Sequence, residues 1–176
     1  MRIAGYVRQT PGRSDPDSAF AQSERIRRWV LDTGHELIAV CQDHHTSVSP
    51  TERPGFRALL DIVRNDGADA VLVASLDALS PDMMMQEIML VDIRAAGCSV
   101  IATGDDDIAA LTNATDDHAR MVVRDTVAKL HDYSDAYGLS GINEPTVQPA
   151  SLDNHISEAT DTTDVVIELI APSNKG

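Results

Sequence analysis

The stretch Ala70-Val71-Leu72-Val73-Ala74-Ser75-Leu76 is apolar at nearly every position. A strand with one wet face alternates apolar and polar residues. A continuous run fits a strand covered on both faces, as inside a parallel sheet flanked by helices. The neighbouring segments agree with that placement. Arg2–Val7 reads as a strand, and Ser18–Thr33 carries Phe20, Ile26, Trp29 and Val30 at helical spacing, with Gly34 as its C-terminal cap. Glu36–Cys41 is a second strand, followed by a polar loop. Pro54 opens a helix through Asn65, with Phe56, Leu59, Leu60 and Val63 on one stripe. After a turn and the apolar run, Pro81 falls in the first turn of a helix reaching Ala96. Gly97 stops that helix, and Cys98–Thr103 makes a fourth strand. The alternation predicts an α/β fold, a three-layer sandwich with a largely parallel central sheet.

Beyond it, Gly104–Thr115 reads as a surface loop, and Thr115 as the cap of a long helix to about Tyr137. Met121, Val122, Val127 and Leu130 are its apolar positions. From Gly138 periodicity is lost and Pro, Thr, Ser, Asn and acidic residues dominate. The chain thus divides into a domain over 1–137 and a mostly disordered acidic tail over 138–176. Only Asp164–Ile170 interrupts the tail, as a strand-prone or docking segment.

Charge narrows the function. The formal net charge is −14 and the pI about 4.6. Nucleic-acid binding draws most of its affinity from cations neutralising phosphates, so a chain this acidic needs its few cations on one face. Arg25, Arg27 and Arg28 do cluster, but as the solvated face of an amphipathic helix. Cys41 and Cys98 read as small buried hydrophobes in a reducing cytosol. The N-terminal eight residues are interrupted too soon for a secretion signal. No apolar run approaches the ~18–20 residues of a membrane span. The expectation is a soluble cytoplasmic protein with no membrane partner.

Three clusters invite a chemical reading and give little. Asp43-His44-His45 offers metal-ligand types, but adjacent loop histidines rarely converge on one ion. Asp105-Asp106-Asp107 has no calcium-loop spacing and reads as solvated loop. Met83, Met84, Met85 and Met89 read as core or dimer contacts. No cofactor is expected.

Four motifs in order, Gly5-Tyr6-Val7-Arg8-Gln9-Thr10, Glu52-Arg53-Pro54-Gly55-Phe56, the run from Val71 to Pro81, and Arg120-Met121-Val122-Val123, resemble the catalytic domain of serine site-specific recombinases, the resolvase/invertase family. The resemblance covers Met1 to Tyr137. In that family a serine in a Tyr-x-Arg-x-Ser motif attacks a DNA phosphodiester and becomes linked to the 5′ phosphate. Here Tyr6 and Arg8 match and Thr10 stands at the nucleophile. Its extra methyl restricts the rotamer and crowds in-line attack. Ser14 can be imagined as a displaced nucleophile, though a serine there reads more simply as polar punctuation. Gln22 matches a glutamine of the family's first helix. Ser47 matches the serine of a Ser-Gly pair whose glycine is replaced by Val48. Arg53 matches a phosphate-contacting arginine, or equally serves as a cation flanking a helix.

The family's third motif is Asp-Arg-Leu-x-Arg, two arginines embracing the scissile phosphate. This chain keeps Asp77 and Leu79 but has Ala78 and Pro81 at both arginine positions. Phosphoryl transfer rests on positioning and on neutralising charge that builds on the non-bridging oxygens. Losing one such cation costs on the order of 10²–10³ in rate. The resemblance therefore implies a pseudoenzyme of recombinase ancestry, an interaction module acting as a homodimer through its last helix or with an intact recombinase, and touching DNA weakly if at all. The alternative is active strand exchange with Thr10 as nucleophile beside Arg8 and Arg53. An unrelated nucleotide-binding α/β domain stands last, since no glycine-rich phosphate loop is present.

Overall fold

The computed structural model describes residues 1–9, 18–44, 53–65, 67–112, 117–137 and 166–169. Among these, β1 (Arg2–Gln9), β2 (Glu36–His44), β3 (Ala70–Val73), β4 (Ser99–Ala102) and β5 (Val166–Leu169) form one sheet in the order β4-β3-β1-β2-β5. The first four strands are mutually parallel, and β5 pairs antiparallel with β2. The helices are α1 (Ala19–Thr33), α2 (Pro54–Arg64), α3 (Met83–Ala95), α4 (Asp105–Leu111) and α5 (His118–Ala136).

The pleat of the two central strands builds the layers. Side chains alternate along a strand, so Ile3 and Val7 of β1 and Ala70 and Leu72 of β3 face α1, where they meet Ile26 and Val30. Ala4, Tyr6, Val71 and Val73 face the other way, onto Phe56, Leu59, Met89, Leu90 and Ile93 of α2 and α3. All four β3 residues are buried, as the uninterrupted apolar run requires. The three-layer α/β sandwich with its parallel centre is therefore the observed architecture. No described helix is long and apolar enough to cross a membrane.

Most element ends lie where the capping residues put them. Ser18 accepts from the Ala21 amide to start α1, and Gly34, at φ 68°, ends it in the left-handed region that a side chain disfavours. The predicted stripe on α2 is buried throughout.

Four details differ from the sequence reading. Phe20 is 77% exposed; the inward positions of α1 are Ala19, Gln22, Ile26 and Val30. These share one side at three- and four-residue spacing, and Phe20 lies across the helix from Gln22. Pro81 precedes α3 rather than sitting in its first turn, because Asp82 caps the Met85 amide and helix begins at Met83. The segment read as a surface loop contains α4, with Asp105, Asp106 and Asp107 in its first turn; carboxylates there complement the helix dipole. Thr115 lies outside the described residues, and Asp117 caps α5 through the Arg120 amide. Of the tail, 166–169 is seen as β5 and the remainder lies outside the described residues, as does His45.

Gly55 illustrates how closely α2 approaches β2. A Cβ built there would lie 2.5 Å from the Gln42 carbonyl oxygen and 2.9 Å from Asp43 Cγ. Backbone in a paired strand yields little, so Gly55→Ala is expected to lower stability by about 1–3 kcal/mol, read from the urea unfolding midpoint.

Candidate functional site

The carboxyl ends of β1, β2 and β3 lie side by side, the usual position for a site in an open α/β sheet. Tyr6 and Arg8 come from β1, Asp43 from β2 and Arg53 from the residue before α2. The short 3₁₀ turn Leu76–Ala78 follows β3.

Asp43 is the hub of one half. It accepts the Tyr6 hydroxyl at 2.7 Å and the backbone amides of Gly55 at 2.7 Å and Phe56 at 3.0 Å. The last two are among the amides a helix start leaves unpartnered. Arg53, at the capping position of α2, makes no side-chain cap bond, so a carboxylate from the adjacent strand does that work. Burial, then the Asp43 charge, raises the Tyr6 phenol well above its ordinary range. The same two causes push the Cys41 thiol up to about 12. Tyr6 also meets Phe56 edge to face, with centroids 5.8 Å apart. Asp43 thus spends its oxygens on the fold.

The other half is the turn after β3. Arg8 is 6% exposed and Arg53 3%. Arg8 donates from Nε to the Ala78 carbonyl and from Nη2 to the Asp77 carbonyl, both at 3.1 Å. Arg53 donates from Nη1 to the Leu79 carbonyl and approaches Met89 Sδ at 3.5 Å. Three consecutive carbonyls thus accept from two guanidinium groups. Gln22 fixes Arg8 from behind: its Oε1 accepts the Arg8 amide at 3.1 Å and its Nε2 donates to the Arg8 carbonyl at 2.9 Å.

Asp77 Oδ1 lies 3.4 Å from Gln86 Nε2, which also donates to the Ser80 carbonyl at 2.6 Å. Burial raises the Asp107 carboxyl, and the charge of Asp77 adds to that rise. A hydrogen bond to the Leu76 backbone and the Arg120 charge act against that rise.

Of the residues expected to form a site, Tyr6, Arg8, Gln22, Arg53 and Asp77 converge here. Thr10, Ser14 and Ser47 lie outside the described residues. The sequence reading missed a polar cluster beneath them. Glu87 of α3 is 0% exposed and pairs with Arg120 at 2.9 Å and Arg124 at 2.9 Å from α5. Arg120 Nη2 also donates to Gln86 Oε1 and Arg124 Nη2 to the Ala110 carbonyl, each at 2.7 Å. The available signal was Gln86-Glu87 interrupting an apolar helical run, matched by two arginines four residues apart.

Residues 3–133 match the family model "Resolvase, N terminal domain". The chain belongs to the resolvase family. The N-terminal catalytic domain of TP901-1 integrase is similar at 19% identity and TM-score 0.52, covering 78% of this chain and 98% of that one. The C-terminal catalytic domain of ISC1926 TnpA, an IS607-like serine recombinase, is similar at 19% identity and TM-score 0.51, covering 75% and 99%. At such identities these two structures establish a shared fold. No curated protein matches the chain. Within a resolvase fold, then, Arg8 and Arg53 are engaged with the backbone of the turn after β3.

Removing the buried carboxylate charge leaves two arginines facing a neutral group. Glu87→Gln is expected to cost about 3–5 kcal/mol in urea unfolding. The loss should be accompanied by faster amide exchange along α5; unaltered exchange there would show that other contacts hold the helix.

Proposed function

We propose that this resolvase-family protein is a pseudoenzyme, a non-catalytic module that dimerises along α5 and acts through protein contacts in the cytoplasm. The observation that carries this reading is the engagement of Arg8 and Arg53 with the carbonyls of 77–79. Arg53, which the family resemblance assigns to a scissile phosphate, and Arg8, from the nucleophile motif, are both buried and bonded to backbone. A guanidinium stabilises a transition state when it is aimed where negative charge develops. Here a phosphate would have to compete with carbonyls already paired, and no arginine at 78 or 81 could assist. Asp77 and Asp107 nearby, and the net charge of −14, oppose a polyanion further.

The dimer reading rests on the outer side of α5. Val122, Leu130, Tyr133 and Tyr137 are all exposed, and helical spacing places them on one side. An apolar stripe of that length facing water fits a second copy or an intact recombinase.

Purified protein is expected to leave supercoiled plasmid unnicked and to form no covalent adduct. Capture of DNA on threonine that disappears in Thr10→Ala would instead establish active strand exchange, the competing reading. Sedimentation at micromolar concentration is expected to give a dimer, with Leu130→Asp shifting it to monomer. A monomeric wild type would remove the dimer from the proposal.

A further inference from the structure

β2 is a nine-residue strand, and β5 is its neighbour on the side away from β1. Its centre, Leu37-Ile38-Ala39-Val40-Cys41, is apolar throughout, with no lysine or proline. Natural sheets protect exposed edges with charges, prolines, bulges or a covering segment, because unpaired amides and carbonyls template pairing with another chain. Within that centre β2 carries no charge or proline, and its register irregularity, at Ile38, precedes the regular stretch Ala39–Gln42. Its cover comes from the far end of the sequence. Val166, Ile167, Glu168 and Leu169 align antiparallel with Gln42, Cys41, Val40 and Ala39. The register falls on the least protected part of the strand.

The covering strand has only four residues. It is joined to α5 through residues 138–165, a long connector whose closure cost grows slowly with length. A ladder of four residues makes few hydrogen bonds, and a partner segment within the same chain meets the edge as an intramolecular event.

We infer that segment 166–169 is a tethered cap holding the β2 edge closed against a second copy of this chain, and that the uncapped edge pairs with β2 of that copy. Edge pairing joins backbone amides and carbonyls that are otherwise unpaired within the sheet, and a two-fold antiparallel contact between identical strands closes on itself. The surface is separate from the outer side of α5, so it stands whether or not α5 dimerises.

The test uses the full chain with the double substitution Ile167→Pro and Glu168→Pro, which removes ladder donors from β5 and leaves the sequence of β1–β4 and the helices unchanged. Below micromolar concentration, the Ala39–Gln42 amides that face away from β1 should exchange at least tenfold faster than in wild type. Amides of β1 and β3 should keep their protection, which verifies folding. At tens of micromolar the variant's mass in sedimentation should exceed wild type: a monomeric wild type doubles, and an α5 dimer, which carries two uncapped edges, reaches at least a tetramer. Protection in β2 should return with it. A synthetic peptide of residues 162–172 should reverse the added association. Unchanged exchange in dilute variant overturns the cap. Faster exchange with wild-type mass at high concentration overturns pairing with a second copy, and so the proposal.

Discussion

Two guanidinium groups buried at the carboxyl end of the sheet set the terms for everything around them. A buried cation is tolerated only where its donors find acceptors. Arg8 and Arg53 find them in the carbonyls of Asp77, Ala78 and Leu79. That requirement shapes the turn: its carbonyls point inward to the arginines. It also explains Gln22, whose amide pairs both backbone groups of Arg8 and so fixes where the guanidinium begins. The turn is held from the strand side by cations and from the helix side by Gln86 on Ser80.

The same geometry separates shape from chemistry. In the resolvase family the motif residues are recognised by type and spacing, and here most of the types survive. Their surroundings assign them other work. Tyr6 and Asp43 tie β1, β2 and the start of α2 together, and Arg8 and Arg53 tie β1 and α2 to the turn after β3. Each contact joins segments distant in sequence, so each stabilises the arrangement of strand ends independently of any phosphate. The acceptors at this turn are backbone carbonyls, that of Ala78 among them, so the contact does not depend on which side chain stands at 78.

The layer order and the four parallel strands were legible because buried strands and capped helices leave strong local signals: the run from Ala70, Gly34 in its left-handed cap, Pro54 at a helix start. The misreadings came where local pattern competes with tertiary demand. Phe20 lies on the hydrophobic list but on the wrong side of α1, displaced by a glutamine whose value depends on a strand amide invisible to periodicity. The three aspartates before Ile108 looked like loop because acidity was weighed as solvation rather than as dipole complement. Glu87 showed only as a polar interruption in an apolar helical run; its partners, Arg120 and Arg124, arrive from thirty-odd residues later and periodicity within α3 does not name them. Convergence of Tyr6, Arg8, Gln22, Arg53 and Asp77 was legible only through family resemblance; their partners were not.

The packing of α5 inverts the ordinary amphipathic helix, and this inversion has consequences of its own. A surface helix normally turns its apolar stripe inward and its charges to water. Here Arg120 and Arg124 face inward, onto Glu87, together with Val127, the residue of this helix that is buried. Val122, Leu130, Tyr133 and Tyr137 face outward. Ion pairs buried at such a contact contribute little net stability compared with well-packed apolar residues, but breaking one is costly. They therefore specify orientation more than they add adhesion. α5 is locked in rotation by two arginines on one carboxylate, and that lock holds the apolar stripe outward. Were the inner contact apolar, the helix could roll and bury Leu130 and Tyr133 against α3. The polar seam opposes the roll, so among the described residues Val122, Leu130, Tyr133 and Tyr137 stay exposed on the outer side of α5.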